Sequence, residues 1–228
     1  MEIVNMKKEE RIAKMKERLI EMQVFENELR AGGIKYIAGV DEVGRGPLAG
    51  PVVSACVVLP ADFDVLGVDD SKKLSEKKRE ELYDIIMEKA VAIGIGMRDN
   101  ERIDEINILE ATKEAMIDAV TECDRVLAEK SEQLARIEHV LFDAMVIQKL
   151  PKSQTSIIKG DSKSVSIAAA SIIAKVTRDR MMCDFAEKYP HYAFESNKGY
   201  GTKAHYEGIA AAGICPIHRK TFLKNIIE

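Results

Sequence analysis

Short apolar runs alternate along the chain with charged, glycine-containing stretches, and this alternation predicts the secondary structure. Residues 36–40 and 51–59 are apolar runs of strand length. The glycines and prolines between them predict a turn that pairs the two strands antiparallel. Further apolar runs predict strands over residues 91–97, 140–142 and 156–158.

Helical patterns precede these strands and separate them. Residues 7–30 carry apolar side chains at three- and four-residue steps, and Glu26 interrupts that stripe, which argues against a long coiled coil. Helices are also predicted over residues 75–90 and 103–123, and an alanine-rich helix that can lie close to the sheet over 164–188. Strands followed by strand–helix alternation predict an α/β fold with a mixed sheet and helices on its faces.

Acidic residues stand at or shortly after three of the predicted strands: Asp41, Glu42, Asp143 and Asp161. Because the carboxyl ends of strands in such a sheet meet at one edge, we expect these side chains to converge. Converging carboxylates repel one another and lose hydration unless cations compensate. Oxygen ligands suit Mg²⁺ or Mn²⁺, and two such ions can support hydrolysis of a phosphodiester without a covalent intermediate.

The Asp41-Glu42 segment also has simpler interpretations. An Asp-Glu pair after a strand is more often an ordinary turn. The glycine spacing of residues 39–44 partly matches a phosphate-binding loop, but Arg45-Gly46 replaces the required Lys-Ser/Thr, and the dinucleotide-binding glycine pattern is also incomplete. The histidines have no zinc-ligand spacing. The rest of the chain therefore decides how this segment is interpreted.

Four sequence blocks, in the same order as in a known family, resemble bacterial ribonuclease HII, a type 2 ribonuclease H. Together they cover roughly residues 36–222. The blocks are Asp41-Glu42-Val43-Gly44-Arg45-Gly46, Asp69-Asp70-Ser71-Lys72-Lys73-Leu74-Ser75, Lys159-Gly160-Asp161 with the helix of residues 166–180, and Asn197-Lys198-Gly199-Tyr200-Gly201-Thr202 with His205.

The resemblance implies a ribonuclease H-like mixed sheet with flanking helices and a helical C-terminal part. It also implies an endoribonuclease that hydrolyses the RNA strand of RNA–DNA hybrids and cuts at ribonucleotides embedded in duplex DNA, leaving 3′-hydroxyl and 5′-phosphate ends. The catalytic and metal-binding residues would be Asp41, Glu42, Asp143 and Asp161, with two Mg²⁺ or Mn²⁺ ions. One departure is Ala144, since the family usually has glycine after the aspartate that corresponds to Asp143.

Substrate-binding residues follow from the same blocks. Main-chain groups of Gly44 and Gly46 would contact the 2′-hydroxyl that distinguishes RNA from DNA, with Arg45 on a phosphate. Tyr200, between two glycines, would stack on a sugar or base, although taken alone it is more simply a buried turn residue. Lys72 belongs to a lysine-rich segment that would contact phosphate or form a solvated face. A second basic cluster near the C-terminus would likewise contact phosphate or form a solvated face: Lys198, Lys203, Arg219, Lys220 and Lys224.

Length and composition limit the remaining possibilities. The 228 residues, 46% hydrophobic and 32% charged, are typical of a globular protein, and we expect residues 1–33 to form a helical N-terminal extension and 34–228 the catalytic domain. The extension would pack on the domain or, less simply, contact substrate. No apolar run is long enough to span a membrane, and four scattered cysteines predict reduced, buried thiols in a cytoplasmic protein, expected as a monomer.

Three rival functions stay open at this point. Ribonuclease HIII belongs to the same superfamily, but Gly44-Arg45-Gly46 and the lack of a large N-terminal domain argue against it. A nucleic-acid-binding module without catalysis is disfavoured by the intact acids. The net charge of −4 also argues weakly against nucleic acid as a partner. A DNA strand-transferase would need a separate DNA-binding domain for which the chain has little room.

Overall fold

A computed structural model describes residues 2–131 and 134–224, with side chains from Lys7 onward. Within these residues the chain forms a five-stranded sheet of order β3-β2-β1-β4-β5. Strand β1 pairs antiparallel with β2 and parallel with β4, so one half of the sheet is antiparallel and the other parallel. The strands are β1 Ile37–Val43, β2 Val52–Val58, β3 Ala92–Arg98, β4 His139–Asp143 and β5 Ser153–Ile157.

Helices cover both faces of this sheet. They are α1 Glu2–Met22, α2 Val24–Ala31, α3 Glu76–Lys89, α4 Asn100–Ile106, α5 Ile108–Lys130, α6 Val165–Lys188, α7 Phe194–Asn197 and α8 Lys203–Ala212. Helix α5 packs with Val40, Val58 and Phe142 on one face, and α6 packs with Ala55 and Val57 on the other. These two layers form the hydrophobic core of the described chain.

Two of the helices approach the strands without intervening side chains. A Cβ atom on Gly39 of β1 would lie 2.1 Å from the backbone carbon of Ser166 in α6. A Cβ atom on Gly94 of β3 would lie 2.1 Å from the carbonyl oxygen of Ala119 in α5. Since no side chain fits in such a gap, these glycines fix the close distance between helix and sheet.

The predicted mixed sheet with flanking helices is confirmed, and four of its strands lie close to the predicted apolar runs. The strand predicted over residues 156–158 is misplaced, because β5 pairs with β4 from Ser153 to Ile157 and leaves Ile158 exposed. Strand β1 continues through Asp41 and Glu42, so these acids lie within the strand rather than after it. The predicted helix over residues 103–123 is two helices, because Asn107 adopts a left-handed φ of 70° and its side chain caps α5. The predicted helix over residues 7–30 also divides, at Gln23.

The N-terminal helices pack closely on the sheet layers. Met22 is fully buried in the same core cluster as α6. Glu26 is also fully buried, and its Oε1 accepts hydrogen bonds from Ser164 Oγ at 2.6 Å and from the Ser166 N–H at 3.0 Å. The carboxylate thus caps the N-terminus of α6, where negative charge is favourable. The division of the chain at residue 33 stays a prediction.

The structure also bears on the predictions about membrane spans and cysteines. None of the described helices combines the length and the apolar character that a membrane span requires. The described cysteines are all free thiols, and Cys56, Cys123 and Cys215 are buried as predicted. The prediction is wrong for Cys183, which is exposed on the outer side of α6.

Candidate active site

The parallel half of the sheet brings the predicted acids to one edge. Asp41 and Glu42 lie near the end of β1, and Asp143 is the last residue of β4. The residues directly before Asp41 and Asp143 are paired partners in the two strands. Asp161 lies in the short 3₁₀ turn Gly160–Ser162 that follows β5. Neighbouring parallel strands therefore place acids from four positions in the sequence at their common carboxyl edge.

Burial and mutual repulsion affect these carboxyl groups. Burial, followed by repulsion from Glu42 and Asp143, raises the pKa of Asp41 well above its usual value. The pKa of Glu42 is raised by burial and by Asp143, although Arg45 opposes the shift. The pKa of Asp161 is raised by burial and then by Asp70 and Asp143. The acids are thus close enough to disfavour one another's charged forms.

Hydrogen bonds hold two of the acids in place. Asp41 Oδ1 accepts a 2.8 Å bond from the N–H of Glu42, and Asp143 Oδ1 accepts a 2.7 Å bond from the N–H of Gly160. Asp41 also receives a hydrogen bond from Ser171 of α6, whose hydroxyl lies 2.8 Å from that of Ser71. The sequence block of residues 69–75 is therefore connected to Asp41 through two buried hydroxyls.

Lys72 supplies a positive charge to this edge. Its Nζ lies 3.7 Å from Asp161 Oδ2, while 78% of its side chain remains exposed. Partial burial lowers the pKa of Lys72, but Asp161, Asp41, Asp70 and Asp143 together raise it above its usual value. Lys72 and Arg45, whose guanidinium pairs with Glu42, are thus two partly exposed cations at the rim that face four carboxyl groups.

The Gly44-Arg45-Gly46 segment lies next to the acids and next to Tyr200. Gly44 has a φ of +93°, and a Cβ there would lie 2.3 Å from Nε of Arg178, so only glycine fits. A Cβ on Gly46 would lie 3.4 Å from Cε1 of Tyr200, whose side chain is 44% exposed. Nη1 of Arg45 lies 3.2 Å from Glu42 Oε1. The structure therefore brings the predicted ribose-binding residues together, and Tyr200 is half exposed rather than buried.

Two fully buried arginines hold this segment from behind, and sequence reasoning assigned neither of them this role. Arg178 donates hydrogen bonds to the carbonyl oxygens of Ala49, Pro51 and Lys198. Arg219 donates to the carbonyl oxygens of Gly44, Arg45 and Gly50. Burial lowers their pKa values to about 10 and about 9. The prediction that Arg219 belongs to an exposed phosphate-binding cluster is wrong, because its side chain does not reach the surface.

A buried histidine pair supports the Tyr200 segment. His205 Nδ1 lies 2.9 Å from the carbonyl oxygen of Tyr200, and its Nε2 lies 3.0 Å from Nε2 of His218. The N–H of Cys215 donates to His218 Nδ1 at 2.9 Å, so His218 carries its proton on Nε2 and His205 on Nδ1. Burial and the neighbouring His205 lower the pKa of His218 to about 4. His205, whose role the sequence left open, is a neutral structural residue in this arrangement.

Ala144, directly after Asp143, adopts a backbone conformation that favours glycine. Its φ of +47° is in the left-handed region, which disfavours any residue with a Cβ. The N–H of Ala144 still donates to the carbonyl oxygen of Ile157 at 3.0 Å, so the turn after β4 is formed. The departure from the usual residue therefore leaves Asp143 at the end of its strand.

The chemistry of the acids fits hard divalent cations, since all four donors are carboxylate oxygens. Among the described residues, no group of three or more His, Cys, Asp and Glu side chains is arranged to hold a metal ion by itself. Mg²⁺ is commonly bound by one or two carboxylates together with water and substrate phosphates, and an open edge of this kind suits that mode better than a closed protein cage.

Comparisons with known proteins show what this chain is similar to. The sequence profile described as ribonuclease HII matches residues 38–225. The chain is 56% identical over 226 residues to ribonuclease HII of Bacillus mycoides (strain KBAB4), a match that covers 97% of this chain and 83% of that protein. Such coverage includes most of the N-terminal helices, which the sequence blocks did not reach.

Solved structures show the same fold. Ribonuclease H2 from Pyrococcus horikoshii OT3 is 28% identical, with a TM-score of 0.65 over 82% of this chain and 93% of that one. Bst-RNase HIII, solved in complex with Mn²⁺, is similar in fold alone, at 22% identity and a TM-score of 0.59 over 78% of this chain and 63% of that one. The profile match and the 56% identity distinguish ribonuclease HII from the HIII alternative, and the chain therefore belongs to the ribonuclease HII family of metal-dependent ribonucleases H.

Proposed function

We propose that this ribonuclease H cuts both the RNA strand of RNA–DNA hybrids and single ribonucleotides embedded in duplex DNA. Cleavage would be a two-metal-ion hydrolysis that leaves 3′-hydroxyl and 5′-phosphate ends. The observation that carries the proposal is the collection of Asp41, Glu42, Asp143 and Asp161 at one sheet edge, where burial and neighbouring acids raise the pKa values of Asp41, Glu42 and Asp161. Activity as a monomer in the cytoplasm stays a prediction.

The four acids would hold Mg²⁺ or Mn²⁺ together with phosphate oxygens of the substrate. When bound, the ions supply an activated water molecule and stabilise the leaving oxygen. The main-chain bonds to Asp41 and Asp143 keep these two side chains oriented towards the edge. Lys72, exposed and 3.7 Å from Asp161, is free to exchange that contact for a substrate phosphate.

Recognition of a single ribonucleotide needs a reader of one 2′-hydroxyl. The Gly44-Arg45-Gly46 main chain is suited to that role because it lies beside the acids and is held rigidly by Arg219. Tyr200 contacts the same segment at Gly46 and is half exposed, so its ring can stack on the sugar or base. Arg45 keeps 45% of its side chain exposed, which leaves its guanidinium able to bind a phosphate.

Two substrates test the proposal: a long RNA–DNA hybrid and a DNA duplex with one embedded ribonucleotide, each with Mg²⁺, with Mn²⁺ and with EDTA. We expect metal-dependent cutting of both, and products with 3′ ends that a polymerase can extend. Binding of both duplexes without cutting at saturating metal would contradict the proposal and favour a non-catalytic binding module.

Variants of Tyr200 test how the ribonucleotide is recognised. Tyr200→Ala should lower kcat/KM by a factor equivalent to a loss of about 1–3 kcal/mol in binding free energy, the usual range for lost base–aromatic stacking. Tyr200→Phe should have a milder effect. The loss should be larger for the single ribonucleotide, where fewer neighbouring contacts compensate. Tyr206→Ala is the matched control, because Tyr206 is nearby and similarly exposed at 41%. Equal losses on the two substrates would mean that Tyr200 supports the site generally.

A further inference from the structure

Helix α1 carries a line of cations along one face. Lys7, Arg11, Lys14 and Arg18 are spaced four, three and four residues apart, and these steps return to the same side of an α-helix. At 1.5 Å of rise per residue, the line is about 16 Å long. We call these four residues the α1 cation line.

The α1 cation line borders a groove between the helix and residues 67–74. The groove has a volume of about 570 Å³, and Met15, Leu19 and Leu74 contribute apolar surface to it. Lys73 adds a fifth positive charge, whereas Glu10 and Asp69 are the negatively charged residues among those that line it. The groove therefore has a clear excess of positive charge although the chain as a whole is negative.

One end of the groove is joined to the candidate active site. Arg18 donates to the carbonyl oxygen of Ser162 at 2.8 Å and pairs with Asp69 at 3.1 Å. Lys73 Nζ lies 2.9 Å from the hydroxyl of Ser162 and 3.1 Å from Asp69. Because Ser162 directly follows Asp161, a ligand that reaches Asp161 lies beside the end of the line.

The other three cations are free to bind a ligand. Lys7, Arg11 and Lys14 are exposed, and none of them pairs with an acidic side chain that the structure describes. Helix α1 packs through Leu19 and Met22, which are buried at its C-terminal end. Packing of the helix accordingly uses its last turns and gives no role to Lys7, Arg11 and Lys14.

We propose that the α1 cation line binds the sugar–phosphate backbone of the same duplex that is cut at the acids, and so extends the substrate path onto the N-terminal helices. This inference rests on the proposed function. One strand of a duplex carries a phosphate about every 3.4 Å along the axis, so the line would face several phosphates in succession. Lysine and arginine spaced along a helix suit such contacts, which orient the duplex without reading its sequence.

The test measures binding of a labelled RNA–DNA hybrid in EDTA, where no cleavage occurs, over a range of salt concentrations. The variant Lys7→Gln/Arg11→Gln/Lys14→Gln should reduce the slope of log K against log salt by about 3, close to one per lost phosphate contact. A hybrid of about six base pairs is about 20 Å long, so when centred on the acids it reaches only about 10 Å towards the α1 cation line and should show a much smaller change. With metal, kcat at saturating substrate should be unchanged.

The control is Lys35→Gln/Arg136→Gln/Lys149→Gln, which removes the same residue types. These three side chains are exposed and precede β1, β4 and β5, at the edge of the sheet opposite the acids. An unchanged salt slope in the α1 variant, or an equal change in the control, would overturn the inference. Should the triple variant melt at a lower temperature, Arg11→Gln alone gives the same test with an expected slope change of about 1.

The outcome also separates this inference from the proposed function. If the unaltered protein cuts hybrids and the α1 variant keeps its salt slope, the proposed function stands and the α1 cation line is not a substrate surface. If the unaltered protein neither binds nor cuts hybrids, both proposals fail.

Discussion

Arg178 and Arg219 are buried as deeply as Asp41 and Asp161, but the two regions satisfy their charges differently. Each guanidinium donates to three carbonyl oxygens of the chain, and together these bonds hold the segment from Gly44 to Pro51. The acids receive few hydrogen bonds, and their partly exposed cations, Lys72 and Arg45, stand at the rim. The fold supplies the arginines with hydrogen-bond acceptors, whereas it supplies the acids with few donors.

This difference separates a structural charge from one that is available to a ligand. Buried charge is tolerable when hydrogen bonds replace the lost water, as they do around the arginines. Where they do not, as among the acids, the charged forms remain unfavourable until an external cation arrives. Substitutions of the buried arginines should therefore affect folding most, and substitutions of the acids should affect cleavage most.

The largest expected effect is on cleavage. Asp41→Asn keeps the shape of the side chain but removes a metal ligand, so kcat/KM should fall by about 10³-fold or more, equivalent to several kcal/mol. The thermal midpoint without metal should stay the same or rise, because a repelled carboxylate has been removed. Asp64→Asn, at an exposed ion pair with Lys89, is the control. Near-normal cleavage by the Asp41 variant at saturating Mg²⁺ would remove Asp41 from the metal site.

The next effect is on stability. Arg219→Met leaves the carbonyl oxygens of Gly44, Arg45 and Gly50 without their donors, and should lower the free energy of unfolding by about 3–5 kcal/mol. For a chain of this size we expect the thermal midpoint to fall by roughly 2–4 °C per kcal/mol. Arg125→Met, at an exposed arginine, should change the midpoint little. A stable Arg219 variant with full activity would mean that this segment holds itself in place.

The two glycines of the same segment sharpen the comparison. Gly46→Ala meets only ordinary contact with Tyr200, so folding should survive while the methyl group obstructs the ribose; kcat/KM should fall about tenfold. Gly44→Ala combines a left-handed φ with overlap against Arg178, so its main effect should be lost stability. Measuring activity and thermal midpoint for both variants distinguishes obstruction from misfolding. Equal effects of the two would contradict the proposed ribose contact at Gly46.

Dependence on pH reports the acids in the metal-free protein. Because burial and neighbours raise the pKa of Asp41 in the folded state, the folded chain binds more protons than the unfolded chain between the two pKa values. The contribution of this group should therefore stabilise the fold as pH falls from neutral towards the unfolded value near 3.9. Denaturant unfolding at several pH values should show this gain, and Asp41→Asn should reduce it. An identical pH profile in the variant would mean that the pKa of Asp41 is not raised in the folded state.

The smallest effect concerns Ala144. Its left-handed φ should make Ala144→Gly stabilising by about 0.5–1 kcal/mol, since glycine removes the steric conflict but adds freedom to the unfolded chain. Cleavage should stay within twofold, because Asp143 keeps its place at the end of β4. Ala135→Gly, at a position with no positive φ, should not stabilise the fold. A destabilised Ala144→Gly would show that the turn is not strained.

Local patterns were enough to predict four of the strands and the edge where the acids meet, whereas β5 begins three residues before its apolar run. Residues 140–142 and the aspartate after them are contiguous in sequence, so the end of β4 is visible there. The roles of Arg178 and Arg219 are not visible, because their carbonyl partners include residues 127 and 175 positions away. The burial of Glu26 was missed for the same reason, since a lone acid in a charged helix has no local feature that indicates a distant partner.

The hydrogen bonds between Glu26 and the start of α6 also set a limit on when a newly synthesised chain can reach its final fold. Ser166 follows Glu26 by 140 residues, which corresponds to roughly 7–28 s of synthesis at ordinary rates. Throughout that interval the carboxylate of Glu26 is without the helix end that it caps. The residues around Glu26 thus leave the ribosome long before they reach their final contacts, and a ribosome-bound chain stopped before residue 164 would carry helices α1 and α2 undocked from α6.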